Sequence, residues 1–181
     1  MPENYDNVRG AAVVIADIEL HKVVRETGME NRGSIVDIYL RAAGYGNNAL
    51  ADRSPQGAEA RQWCGMFIYY CYLKAAVSKG KLLPFENLGP RRPAGSHLWS
   101  GQRLIEWTNN HREKIVPHGS PVQPGDIFSI PSGHIGIAIG ASDDNGEFPT
   151  IEGNQGDLAH TRNGIARRSM NLRGCRIIVR I

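Results

Sequence analysis

Several things this chain lacks narrow what it can be. Its apolar run Ala11 to Ala16 is far shorter than the roughly 20 residues a bilayer-spanning helix needs, so no membrane insertion is expected. With only 3 cysteines it has no complete disulfide framework. Cys64 and Cys71 fall on one helix with their Cα atoms roughly 10 Å apart along its axis. A disulfide needs them within about 7 Å. No His-x-x-x-His, His-Glu-x-x-His or Cys-x-x-Cys spacing occurs, so no metal and no cofactor are expected. Asp143-Asp144-Asn145-Gly146-Glu147 has the composition of a calcium loop without its alternating ligands, and reads as a turn.

Charge of one sign is also scarce. The net charge is +3, and clustered basic residues amount to Arg91-Arg92 and Arg167-Arg168, which argues against nucleic acid as a partner. An anionic polymer such as a cell wall is compatible with that charge. The N-terminus, Met-Pro-Glu-Asn-Tyr-Asp-Asn, is polar and acidic where a secretory leader would be basic and then apolar. Synthesis in the cytoplasm is therefore expected, with any export by another route. With 181 residues, 41% hydrophobic and 22% charged, residues 1–181 read as a single globular domain.

The first half is patterned for helices. Ala11 to Glu26 carries an apolar face at 11, 14, 15 and 18 and stops near Gly28. Ser34 is placed to cap a second helix, with Asp37 three residues on and Gly44 as its stop. Residues 45–62 read as a loop, and Trp63 to Val77 as a third helix with the stripe Cys64, Phe67, Ile68, Cys71 and Ala75. Residues 81–95 form a Pro/Gly-rich connection, followed by a helix over 96–109.

The second half is patterned for strands, at 126–130, 134–140, 150–154, 165–170 and 175–181. The fold class is thus α+β: helices first, then an antiparallel sheet of about five strands. Within 134–140, Ile135, Ile137 and Ile139 face one way, and His134, Gly136, Ala138 and Gly140 the other. The small-residue face is where a helix could lie across the sheet and bring its N-terminus to His134. Cys175 reads as core.

The residues with chemical potential come in a definite order. Cys64 opens an amphipathic helix, where the partial positive charge favours a thiolate and free N–H groups can hold an oxyanion. Gly65 beside it would let a substrate carbonyl approach. His134 opens a strand, and Glu152 and Asn154, two apart on the next strand, share a face that can adjoin it. A thiol nucleophile, an imidazole to take and return the proton, and a polar group to orient the imidazole are what a cysteine hydrolase needs. His21, His97, His111, His118 and His160 stand in helical or loop contexts without such partners.

At Gln62-Trp63-Cys64-Gly65-Met66-Phe67, Pro124-Gly125-Asp126-Ile127, Gly133-His134-Ile135-Gly136-Ile137 and Ile151-Glu152-Gly153-Asn154 the chain resembles the CHAP branch of the NlpC/P60-like cysteine peptidase and amidase superfamily. The likeness extends over roughly residues 20–181, including Asn31-Arg32-Gly33-Ser34 and Tyr39 to Gly44. It implies a papain-like fold and peptidoglycan as substrate, cut at an amide bond in or next to the stem peptide. It implies Cys64 as nucleophile, His134 as general base then acid, and Glu152 as the orienting group, with Asn154 as a further or alternative polar position. Gln62, Trp63 and Gly65 then stand where substrate or oxyanion contacts belong. Such an enzyme would act at the cell wall or periplasm after release or secretion, as a phage lysin or a secreted antibacterial effector, and a toxin would imply an immunity-protein partner. Residues 81–120 are longer and richer in Pro and basic residues than the family pattern, and no appended wall-binding domain is expected. The competing readings are a thiol amidase or transamidase on a small cytosolic amide, and a papain-like module that only binds.

Overall fold

The computed structural model describes residues 6–22, 24, 26, 31–54, 62–83, 101–156 and 163–181. The helices are α1 (Asp6–His21), α2 (Val36–Ala42), α3 (Asn47–Ala51), α4 (Cys64–Ser78) and α5 (Gly101–Thr108). The strands are β1 (Ile127–Ser129), β2 (Ile135–Ala138), β3 (Glu147–Gly156), β4 (Asn163–Asn171) and β5 (Ile177–Val179). They form one antiparallel sheet in the order β4-β3-β2-β1-β5, so the fold is α+β. Among the described residues no helix is long and apolar enough to cross a membrane.

Helix α4 is the hub, with α1 and α2 on one side and β2 and β3 on the other. Its buried residues extend beyond the expected stripe to Gly65, Met66, Tyr72 and Ala76, because it is enclosed between two layers. Each large apolar side chain buried this way contributes about 1.5–3 kcal/mol. The sheet turns Ile135, Ile137 and Ile151 toward this core, while Phe128, Ala138, Phe148 and Ile178 form a second, smaller cluster on the far face.

Several expectations need correction. The helix does not lie on the small-residue face of β2; it packs on the isoleucine face. Branched side chains bury more apolar area against a helix, and the space over Gly136 is taken by the Phe128 ring and the stem of Glu152. Helix α1 begins at Asp6, ahead of the expected Ala11, and ends at His21, with Val24 and Glu26 outside it. Ser34 does not cap α2. The N-cap is Ile35 without a side-chain bond, and Asp37 instead holds Arg32 at 2.5 and 2.6 Å. A short α3 interrupts the expected 45–62 loop. Cys175 is half-buried and precedes β5. Of the expected 96–109 helix, residues 96–100 lie outside the described residues, as do 84–95 of the expected connection.

A buried charge cluster ties the N-terminal helix to the sheet. Asp126, fully buried, accepts from Arg180 Nε at 3.0 Å and Nη2 at 2.7 Å, and lies 3.5 Å from Arg9 of α1. Arg9 also donates to the Pro124 carbonyl at 3.1 Å, and the Tyr72 hydroxyl of α4 donates to that of Gly125. Gly125 has φ +84, and a Cβ there would lie 2.7 Å from that of Arg9, so glycine is required by both backbone and space. Asp126→Ala should leave two guanidinium groups without their carboxylate and cost about 3 kcal/mol. Urea unfolding should show this as a lower midpoint at unchanged slope.

Candidate active site

Cys64 is the first residue of α4, and the N-cap residue, Trp63, makes no side-chain bond to that helix start. The first intrahelical bond runs from Phe67 N to the Trp63 carbonyl at 2.9 Å. The N–H groups of Cys64, Gly65 and Met66 therefore precede the helical ladder. The chain places a hydrophobic residue, Trp63, where Ser, Thr, Asp or Asn would stabilise the helix by about 1 kcal/mol. This forgone cap leaves donors at the thiol.

Trp63 is fully buried, and its indole N–H donates to the carboxylate of Glu26 at 2.9 Å. Its ring packs on Tyr39, with centroids 5.9 Å apart. The side chain thus anchors the start of α4 in the core. Gly65 is buried beside Cys64, and Gln62 is exposed at the mouth of the helix.

His134 is the first residue after the turn between β1 and β2. That turn is closed by Gly133 N to the Ile130 carbonyl at 2.9 Å and Ile130 N to the His134 carbonyl at 3.0 Å, with Gly133 at φ +87. The imidazole meets the Cys64 thiol and, through Nε2, Glu152 Oε2 at 2.9 Å. With Nε2 on the carboxylate, Nδ1 is the ring nitrogen not taken up by Glu152. The other oxygen of Glu152 accepts from the Thr150 hydroxyl at 2.6 Å, and both residues are buried. Burial acts to lower the His134 pKa, but hydrogen bonds and charge from Cys64 and Glu152 outweigh it and raise the value to about 9.

The other two thiols lack this environment. Burial pushes Cys71 well above the usual thiol range, and pushes Cys175 up to about 11 with help from the Glu152 charge. Among the described residues neither has an imidazole partner that would hold its proton.

Glu152 and Asn154 do not share a face. The register of β3 against β4 shifts between Glu152 and Gln155, and Asn154 has φ +59. This bulge inserts one residue into the strand and re-aims the side chains beyond it. Gln155 therefore joins Glu152 at the imidazole, its amide nitrogen 2.6 Å from His134 Nε2. Gln155 is the site residue that strand alternation misses. The available signal is Gly153-Asn154 inside a strand pattern, a pair suited to a left-handed turn of the backbone.

A cavity of about 610 Å³ lies on the far side of the sheet, lined by residues such as Val116, His118, Asp144, Arg173 and Ile178. None of Cys64, His134 and Glu152 borders it, so the thiol chemistry is not housed there. Among the described residues no group of His, Cys, Asp and Glu is arranged to hold a metal ion.

The packing around Glu152 and the raised His134 pKa each have a measurable effect. A Cβ on Gly136 would lie 2.5 Å from the Phe128 ring and 2.8 Å from Glu152 Cγ. Gly136→Ala should cost about 1–3 kcal/mol and displace the carboxylate, seen as a lower melting temperature with an altered His134 ring resonance. His134 has a folded pKa of about 9, above its ordinary 6.5. Its contribution to stability is therefore complete below about pH 6.5 and lost as pH rises through about 9. Urea unfolding at pH 6 to 10 should show this decline in the parent chain and its absence in His134→Ala.

No family model matches the chain, and no curated protein or solved structure matches it.

Proposed function

We propose that this chain is a cysteine amidohydrolase of the CHAP type, with a papain-like arrangement of helix and sheet, acting on an amide bond in or next to the peptidoglycan stem peptide. The observation that carries the reading is the relay of Cys64, His134 and Glu152 at an uncapped helix start. The resemblance of the surrounding motifs supports the substrate class.

In the proposed mechanism His134 Nδ1 takes the thiol proton, and the Cys64 thiolate attacks the amide carbonyl. The carbonyl π electrons move onto oxygen, and the oxyanion is held by N–H groups at the start of α4, with Gln62 exposed beside them. Collapse breaks the C–N bond as the imidazolium gives its proton to the departing amine, leaving a thioester on Cys64. Water then attacks the thioester with Nδ1 as base, releasing the carboxylate and restoring the thiol. Throughout, Glu152 keeps the proton on Nε2 and stabilises the charged ring. Asn154 remains a candidate for steadying bound substrate. Phage lysin and secreted antibacterial effector are the two settings we propose, the latter with an immunity protein.

Purified peptidoglycan incubated with the protein should release fragments carrying a new amine and a new carboxylate, identified by mass. Cys64→Ala should fold and release none, whereas Cys71→Ala should stay within a few fold of the parent. Full digestion by a folded Cys64→Ala protein would refute the mechanism. Glu152→Gln should lower the His134 pKa and cut the rate about 10- to 100-fold. The parent's rate should fall on the alkaline side near pH 9, where His134 loses the proton it must donate.

A further inference from the structure

Two side chains, not one, lie against Nε2 of His134. Glu152 Oε2 is 2.9 Å away, and the terminal amide of Gln155 is 2.6 Å away through its nitrogen, with the same atom 3.4 Å from Nδ1. A ring nitrogen has room for one proton and one role at a time. The carboxylate can only accept, and its far oxygen already accepts from Thr150. Nε2 must therefore donate, and a donating nitrogen cannot receive an N–H from Gln155. A primary amide resolves this by turning end for end, which brings its oxygen to the place its nitrogen held.

Gln155 reaches the ring only because of the bulge. In an uninterrupted strand residue 155 would face away from residue 152. The left-handed backbone at Asn154 resets the alternation, and pairing resumes at Gln155 opposite Gly164. The extra residue sits beside a reacting imidazole and brings the next side chain onto it, a placement the hairpin itself does not require.

We propose that Gln155 is a positioning residue for His134: its amide oxygen shares the Nε2–H with Glu152, fixing the tautomer that leaves Nδ1 to Cys64. It rests on the reading of Cys64 and His134 as a reacting pair. One acceptor defines a direction, whereas two define the plane of the ring. Gln155 adds no charge, so it steadies the imidazolium without competing for the proton as a second carboxylate would.

The test uses the whole chain and needs no substrate. His134 is titrated by NMR, and alkylation of Cys64 by iodoacetamide is followed against pH with the modified site located by mass, in Gln155→Ala, Gln155→Met and Gln155→Glu. Melting temperatures report whether each variant is folded, and Gln155→Met retains side-chain length. Loss of the acceptor in Gln155→Ala and Gln155→Met should lower the His134 pKa and slow alkylation near neutral pH about three- to tenfold. Gln155→Glu, which keeps an acceptor and adds a charge, should bring the His134 pKa well above that of the Ala and Met variants. An unchanged titration in folded Ala and Met variants would make Gln155 a bystander. A raised titration would mean that the amide gives its N–H to a bare ring nitrogen and opposes Glu152. Either result overturns the proposal. His134→Ala provides the control for the underlying reading: if it leaves Cys64 alkylation unaltered, there is no reacting pair and Gln155 has nothing to position. If alkylation responds as expected but peptidoglycan is untouched, the positioning role stands and the substrate assignment falls.

Discussion

The site depends on how closely the first turn of α4 can approach β3. A Cβ at residue 153 would lie 2.9 Å from the Trp63 ring and 2.9 Å from Phe67 Cβ, and glycine alone removes that obstacle. With the two backbones this near, the thiol at the start of the helix reaches the imidazole at the start of β2. Trp63, pinned to Glu26 and packed at a tilt against Tyr39, sets the angle at which the chain enters the helix. The thiol's position is thus fixed by the core beneath it.

The relay runs around the rim of the sheet. Cys64 comes from the helix-covered face, His134 from the turn ahead of β2, and Glu152 from the far face, where Gly136 leaves room for its stem. Two glycines, one on each face, let groups from opposite layers converge on a single ring. A buried carboxylate is costly unless it is paired and hydrogen-bonded. Here the Thr150 hydroxyl and the imidazole serve both its oxygens. The uncapped start of α4 is a comparable local cost, offset by the packing of a helix enclosed on both sides.

Much of this is legible in the residues. The helix from Cys64 and the succession of five strands come from local period, because apolar patterns and turn residues act over short range; the pairing of a thiol with His134 rests on the order of the motifs and on the family resemblance. Glu152 is legible only together with Asn154, because alternation puts both on one face and does not choose between them. Alternation cannot supply the bulge, since one residue at positive φ reverses every later side chain, and Asn154 and Gln155 exchange places. Small residues are a poor guide to which sheet face the helix covers. Glycine in β2 admits a ring and a carboxylate stem from the far side, while the helix seeks the isoleucines. Helix starts are the least legible: Ser34 looks like a cap but Ile35 occupies that position, because the Arg32–Asp37 pair closes the turn instead.

The Pro124 to Asp126 segment joins the two halves of the chain that the proposed chemistry needs together. Cys64 belongs to the helical half and His134 to the strand half, and the halves are bound together through Arg9, Asp126, Arg180 and the Tyr72 hydroxyl. Contacts so distant in sequence carry a large loop-closure cost in folding. Before closure the chain carries three ordinary thiols. On the proposed reading the reagent is therefore latent in the unfolded protein, because thiol and imidazole meet only in the completed tertiary structure.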